Sequence, residues 1–307
     1  MTSALLLSLA LVSGAGVTDT IPARDTIASA DAAARDTIVS AAAQQFADSV
    51  TLPPDARAVP VPFGPGERLE YKVKLGVFSV GEAFMSVNGV DTVRGRPSYA
   101  ATLSIRGGAL FAKVNDEFQS WFDISTLQSW RFIQKIHEVN YKSFRHYEMY
   151  PERRVWVRED NDDSGPLGSL LPLDDVGFLY FLRTLPLEVG KTYTYNRYFK
   201  STGNPVVVKV VRKDRREVPA GTFETIVVQP LIRTKGLFSE GGNAELHFTD
   251  DERRLLVYLR SEIPVVGSIT LHLRDIREGL PLHPDARAAT LARVGAEAKV
   301  GTDDPER

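Results

Sequence analysis

One stretch, from Phe63 to Ala83, limits the choice of fold more than any other part of the chain. Four apolar residues alternate in it with four charged ones: Leu69, Tyr71, Val73 and Leu75 against Arg68, Glu70, Lys72 and Lys74. Such alternation predicts a strand with one buried face and one wet face. Gly76 and Gly81 interrupt the pattern, and glycine inside a strand pattern predicts a bulge, a bend or a close backbone approach. We therefore expect a long first strand that bends and leads into a second one.

The strand pattern recurs along most of the remaining chain. Aromatic and β-branched residues, which suit a pleated and half-buried surface, form short runs bounded by Gly, Pro and polar turns. The predicted strands cover residues 82–88, 98–105, 111–122, 129–136, 139–147, 153–158, 193–199, 206–211, 223–229, 244–249, 255–261 and 265–274. We predict a mainly β fold, with a large curved or closed antiparallel sheet that is barrel-like. Closure would hide the sheet edges that invite aggregation.

The segment Asp174–Leu187 breaks the β pattern. Asp174 or Asp175 can cap a helix by accepting backbone N–H bonds. The apolar residues that fall at helical spacing are Phe178, Leu182 and Leu185, and Pro186 and Gly190 end the pattern. This predicts one short amphipathic helix of about three turns, packed across the sheet.

The two ends of the chain differ from the middle. Leu5–Val12 is an apolar run followed by small residues, so residues 1–15 resemble a signal peptide, although no positive charge precedes the run. Residues 16–60 are rich in Ala, Asp and Thr and end in several prolines, which predicts a disordered linker. We expect a folded domain over residues 61–284, a frayed tail over residues 285–307, and a periplasmic or secreted protein.

Composition and motifs exclude several classes of function. The 307 residues contain no cysteine, which removes disulfides and thiolate chemistry. The net charge of −2 provides no global field for nucleic acid. The five histidines show no metal-binding spacing, and neither a nucleophile elbow nor a phosphate loop occurs. We therefore assign no catalytic residue, no metal and no cofactor, expect no transmembrane span, and do not expect an enzyme.

A small set of residues on and near the predicted helix remains as candidate binding residues. They are Trp130, Phe132, Phe178, Tyr180, Phe181, Leu182 and Arg183. The aromatic members either line an apolar pocket or pack in the core. Arg183 lies on the apolar helix, and a buried arginine needs a partner. It either anchors the helix to a carboxylate of the sheet or faces a ligand cavity.

Several blocks of residues give the chain a resemblance to a known family. The blocks are Gly66-Glu67 with Leu69, Tyr71, Val80 and Gly81; Tyr180 with Arg183, Leu185, Leu187 and Gly190; Glu217-Val218 with Ala220, Gly221, Phe223 and Val227; and Asp250-Asp251 with Arg253-Arg254, Leu256 and Gly267. In order and spacing they resemble domain of unknown function 3108, a family of exported bacterial proteins, over about Phe63 to Leu280. The resemblance implies an envelope-associated, β-rich protein and no known activity.

Three functions remain open on the sequence alone. The first is an exported, non-enzymatic envelope protein that binds an apolar or lipid-like ligand or an envelope component. The second is a scaffold or interaction protein with a filled β core and no ligand. The third is a hydrolase of envelope polymers that uses two carboxyl groups with split pKa values. The volume left inside the sheet would distinguish the first two functions. A close pair of carboxyl groups would favour the third.

Overall fold

A single antiparallel sheet dominates the structure, a computed structural model that describes residues 57–109, 112–138, 141–232, 244–263, 267–288 and 290. The sheet has 14 strands, and all of its strand pairs are antiparallel. The strands are β1 Arg68–Leu75, β2 Phe78–Val93, β3 Arg96–Ala109, β4 Ala112–Asp123, β5 Ser129–Glu138, β6 Tyr141–Tyr150, β7 Val155–Arg158, β8 Ser164–Pro166, β9 Thr192–Tyr195, β10 Val206–Val218, β11 Gly221–Leu231, β12 Glu245–Thr249, β13 Leu256–Ile263 and β14 Gly267–Arg277. The predicted mainly β, antiparallel fold is confirmed.

The strand order is that of two meanders joined through β1 and β14. It runs β8-β7-β6-β5-β4-β3-β2-β1-β14-β13-β12-β11-β10-β9. The edge strands β8 and β9 do not pair with each other in the part of the chain that the structure describes. Two isolated bridges, Leu167–Lys200 and Leu173–Tyr198, join the segments just beyond these edges. The ladder is therefore not closed into a barrel, and the closed form of the prediction is not confirmed.

The predicted helix exists but is shorter and more deeply buried than its sequence pattern indicates. Helix α1 spans Asp175–Leu182, and Asp174 is its N-cap residue. The prediction that it is amphipathic is wrong, because every residue from Val176 to Leu182 is buried. The physical reason is that α1 lies on the inner face of the sheet, where packing surrounds it on all sides. It ends at Leu182, five residues before Leu187. The backbone N–H of the C-cap residue Arg183 donates to the carbonyl oxygens of Tyr180 and Phe181.

Helix α1 contacts strands that are far apart in the sheet order. On one side, Asp174 accepts a hydrogen bond of 2.5 Å from Ser120 on β4. On the other side, the ring of Phe181 lies 5.3 Å from that of Tyr195 on β9, at the sheet edge. A flat sheet cannot bring β4 and β9 to one short helix, so the sheet curves around α1.

Glycines allow the turn between β1 and β2 and the close approach of β2 to β3. Gly76, with φ +57°, makes the turn between β1 and β2. Gly81 and Gly107 face each other on β2 and β3, and a Cβ on Gly81 would lie 2.2 Å from the carbonyl oxygen of Arg106. The register of β1 against β2 also shifts between Val73 and Lys74. The predicted bend and close backbone approach are both present.

We distinguish two ends of the inner face of the sheet by the residues that lie there. The helix end contains α1 and Glu67, the residue before β1. The far end is marked by a row of paired residues across five strands: Gly81, Gly107, Val114, Glu138 and Tyr141. The predictions for residues 1–56 and for most of residues 285–307 lie outside the described residues.

Candidate functional site

The helix end of the interior is filled by four aromatic rings. Phe63, Tyr99, Phe122 and Tyr180 have neighbouring ring centroids between 4.8 and 6.2 Å apart. Each of these side chains is at most 1% exposed. Edge-to-face and tilted contacts at these distances are favourable for aromatic pairs. The four rings therefore form a packed core beside α1.

A buried ion pair anchors α1 next to these rings. The Arg183 guanidinium donates to both carboxylate oxygens of Glu67, at 2.6 and 2.9 Å, and also to the carbonyl oxygen of Arg253 at 3.1 Å. The two side chains are 0% and 3% exposed. Burial opposes the charge of Arg183, but the Glu67 carboxylate outweighs it and raises the pKa of the guanidinium. Glu67 is thus the carboxylate partner that the anchoring alternative for Arg183 requires.

The candidate binding residues named from sequence are all buried, but they have different partners. Their exposed fractions are 4% for Trp130, 0% for Phe132, 2% for Phe178, 0% for Tyr180, 8% for Phe181, 0% for Leu182 and 2% for Arg183. Phe132 packs against Tyr147 and Phe199, each with a centroid distance of 6.3 Å. Trp130 donates to Asp123 at 3.3 Å and lies under the guanidinium of Arg96. The contacts of these two residues are thus separate from the cluster around Tyr180 and Arg183.

The N-terminus of α1 contains a buried acid whose polar contacts are satisfied. One oxygen of Asp174 accepts from the backbone N–H groups of Val176 and Gly177, both at 2.9 Å. The other accepts from the Ser120 hydroxyl. Burial raises the pKa of Asp174 to about 6 in spite of these bonds. This is the geometry of a helix cap, with a structural role.

The far end contains a second pair of buried acids, and sequence reasoning did not identify it. Asp116 on β4 and Glu138 on β5 are 1% and 6% exposed, and their side chains share a hydrogen bond. Burial first, and then the neighbouring Asp116, raises the pKa of Glu138 to about 8. Burial also raises the pKa of Asp116. At neutral pH Glu138 therefore keeps its proton and shares it with Asp116.

The two carboxyl groups differ in the hydrogen bonds that they receive from other residues. Asp116 accepts a hydrogen bond of 2.9 Å from the backbone N–H of His137. Glu138 Oε1 is buried and accepts no hydrogen bond from an N–H or a hydroxyl group of the described residues, and the hydroxyls of Tyr99 and Tyr180 and the Nε of Arg183 at the helix end are likewise buried without a hydrogen-bond partner. Because a buried polar atom without a partner is costly, such an atom calls for an explanation.

Three more polar side chains extend the acid pair across the inner face. Arg145 on β6 donates to the Gln134 carbonyl at 3.2 Å and to the Tyr141 hydroxyl at 2.8 Å. Gln134 and Glu138 alternate with exposed residues on β5, so they face the same side. We call these five residues the far-end polar group: Asp116, Gln134, Glu138, Tyr141 and Arg145. The signal for it in the sequence was a charged residue at an inward position, Asp116 between Val114 and Phe118.

Apolar side chains surround this group and become more accessible toward the far end. On β1, Tyr71 is 0% exposed, whereas Leu75, at the strand's end, is half-buried. On β3, Tyr99 is 0% exposed, whereas Ile105 is half-buried. On these two strands the inward side chains are therefore more accessible at the far end than at the helix end.

A third polar cluster lies on the outer face of β10 to β14. His247 is 0% exposed, and Arg216 lies 3.3 Å from its Nε2. Burial, together with the charge of Arg216, lowers the pKa of His247 to about 4, and burial does the same for His272. Both imidazoles are therefore neutral at physiological pH. Among the described residues, no group of three or more His, Asp or Glu side chains is arranged to hold a metal ion.

The described part of the chain contains no helix that is both long and apolar enough to cross a bilayer. The family model for the protein of unknown function DUF3108 matches residues 70–274. The chain belongs to this family, which confirms the resemblance. No protein with a curated description matches the chain.

Two solved structures show a distant similarity. One is a candidate lipoprotein from Parabacteroides distasonis ATCC 8503, with 10% identity and a TM-score of 0.32 over 72% of this chain and 100% of that one. The other is a candidate exported protein with a YmcC-like fold from Bacteroides fragilis NCTC 9343, with 9% identity and a TM-score of 0.27 over the same shares. At such low scores the similarity supports no argument about this chain.

Proposed function

We propose that this protein is an exported, non-enzymatic β protein of the cell envelope that binds a lipid-like amphiphile at the far end of its sheet. Export is supported by the apolar run Leu5–Val12. Ligand binding is supported by one observation above all. Two buried carboxyl groups that share a hydrogen bond and form no ion pair lie at inward positions of an otherwise apolar face, beside side chains that are only half-buried.

The helix end is a poor place for the ligand. Four rings and an ion pair already fill the space beside α1. Protein cores are close-packed, so a ligand there would have to displace these side chains. This end fits the scaffold alternative, in which α1 packs in a filled core.

The chemistry of the far end indicates which head group fits. When Glu138 shares its proton with Asp116, its other oxygen acts as a hydrogen-bond acceptor. A ligand head with a neutral donor, such as a hydroxyl or an amide N–H, would donate to a carboxyl oxygen of the pair. The acyl part of the ligand would lie against Leu75 and Ile105. Monoacylglycerols and acyl amides belong to this class.

A matched pair of variants tests the location of the ligand. The purified full-length protein is titrated with a pyrene-labelled monoacylglycerol, without vesicles, and a bound native lipid is sought by solvent extraction and mass spectrometry. Ile105→Trp places a bulky ring at the far end and should abolish probe binding. Phe181→Leu is the control at the helix end and should leave probe binding unchanged. The reverse outcome would place the ligand under α1, and an absence of binding in the unmodified protein would favour the scaffold function.

The acid pair also gives a specific observation in favour of the hydrolase alternative, because two neighbouring carboxyl groups both have raised pKa values. However, the carboxyl groups contact each other directly, whereas those of glycosidases stand about 5 Å or more apart. Both are also nearly inaccessible, at 1% and 6% exposure. Glu138→Gln tests this alternative. Hydrolysis of an envelope polymer by the unmodified protein, lost in this variant, would replace the binding function with catalysis.

A further inference from the structure

The turn between β1 and β2 presents two large apolar side chains to solvent. Val77 is 84% exposed and Phe78 is 73% exposed, more than any other large apolar side chain in the described structure. Turns normally carry Gly, Pro and small polar residues. Gly76 fits that rule and makes the turn, but the next two residues break it.

Basic side chains without an ion pair lie on the outer face of β1 and of strands on one side of it in the sheet, β3, β4 and β6. Five basic side chains near the far end have no ion pair among the described residues: Lys72, Lys74, Arg106, Lys113 and Lys142. Lys74 pairs in register with Ser79, immediately after Phe78. Three acids on the outer face of β1, β2 and β4 are already bound: Glu70 and Glu82 by Arg274, and Glu117 by Lys135. The uncompensated charge around the tip is therefore positive.

We propose that the β1–β2 tip docks on the surface of an anionic lipid bilayer. Val77 and Phe78 would enter the boundary between head groups and acyl chains, and the basic side chains would lie against lipid phosphates. Two apolar side chains bind a neutral bilayer weakly, so the attraction between basic residues and anionic lipid has to add to them. This docking goes beyond the proposed ligand binding and does not depend on it.

Charge complementarity also argues against a second copy of this chain as the binding partner of the tip. A second copy of this chain would bring two positively charged tips together, and like charges repel. An anionic bilayer carries the opposite charge over an extended plane, which suits basic residues spread over several strands.

Co-sedimentation with vesicles tests the proposal on the full-length protein. Phosphatidylcholine vesicles are compared with vesicles that also contain phosphatidylglycerol, at low and at high salt. We expect binding only with phosphatidylglycerol and a fall in binding as salt rises. Phe78→Glu should lower the partition coefficient by roughly tenfold or more, since it removes an aromatic side chain that the bilayer would bury.

Leu171→Glu is the matched control. Leu171 is 45% exposed, and its carbonyl is held by Arg197, which also binds the Thr126 carbonyl in the β4–β5 turn at the helix end. This variant should bind vesicles as the unmodified protein does. Both substitutions are at exposed positions, so equal melting temperatures will show that both variants fold.

Three results would overturn the proposal. One is an absence of binding to phosphatidylglycerol vesicles. Another is equal binding by Phe78→Glu and the unmodified protein, which would assign vesicle binding to another segment, such as the apolar run Leu5–Val12. The last is self-association of the unmodified protein, measured by sedimentation velocity and abolished by Phe78→Glu. That result would show that the tip binds a second copy of this chain. The probe titration of the proposed function uses no vesicles, so the two hypotheses fail separately.

Discussion

The protonation of Glu138 predicts that the protein loses stability as the pH rises through neutrality. The folded state holds the pKa of Glu138 near 8, against an ordinary value of 4.5. Between these values the unfolded chain has lost the proton and the folded protein keeps it. Stability falls with pH wherever the folded state binds more protons. The contribution of Glu138 is therefore complete below about pH 4.5, declines up to about pH 8, and is constant above it.

The size of this loss follows from the same values. Each pH unit inside the window changes the free energy of unfolding by about 1.4 kcal/mol per group. Between pH 7 and pH 9 the folded state passes through its pKa, so only part of that slope applies. The loss due to Glu138 is about 1–2 kcal/mol over this range.

Other shifted groups do not obscure this window. His247 and His272 have pKa values of about 4 in the folded protein, so they add stability as the pH rises to about 6.5, and little beyond pH 7. Asp174, with a pKa of about 6, acts in the same direction as Glu138 but at lower pH. Above pH 7 the loss is that of the acid pair.

Urea unfolding of three proteins measures the effect. Glu138→Gln keeps the shape of the side chain but cannot ionise, so its stability should change less between pH 7 and pH 9 than that of the unmodified protein. Glu117→Gln, on the same strand as Asp116 but paired with Lys135 at the surface, is the control and should follow the unmodified protein. If the difference between Glu138→Gln and the unmodified protein is the same at both pH values, Glu138 does not carry a shared proton and the reasoning fails.

Three further predictions concern the helix end and the domain boundary. Arg183→Met should lower the free energy of unfolding by about 3–5 kcal/mol because it leaves the Glu67 carboxylate buried without a partner. Adding Glu67→Leu to Arg183→Met should recover part of that loss. A double variant that is no more stable than Arg183→Met alone would contradict this account. Phe181→Glu should lower the melting temperature strongly, at a cost of about 3–5 kcal/mol for the lost ring, and leave probe binding at the far end intact in the fraction that stays folded. Limited proteolysis followed by mass spectrometry should yield a stable fragment that begins near Pro60, and equal resistance of the preceding residues would contradict the predicted linker.

Strand positions were predictable from sequence because their signal is local. The alternation of Leu69, Tyr71 and Val73 with charged residues gives both the strand and its buried face, and β1 has that face. The boundaries were less predictable. Strand β10 runs to Val218, well past the apolar run that ends at Val211, because its last residues pair with β11 through a polar hairpin.

Features that depend on distant partners were not predictable in the same way. The spacing of Phe178 and Leu182 suggested one apolar side for α1, but the curvature of the sheet decides that all its sides are buried. Arg183 was expected to need a carboxylate, but Glu67 lies 116 positions earlier in the chain. The inward position of Asp116 could be read from its strand, whereas the contact with Glu138 needed the register of β4 against β5.

The two buried acid sites differ in how their charge is compensated, and on this difference we propose different roles for them. Glu67 has a full counter-charge in Arg183, with two direct hydrogen bonds, and such a pair fixes the position of α1 without a further partner. The pair of Asp116 and Glu138 has a shared proton in place of a counter-ion. Removing Glu138 therefore removes a cost to the folded state, whereas removing Arg183 creates one. A residue that costs stability in a family member is best explained by function, and this is why we place the ligand at the far end and the structural anchor at the helix end.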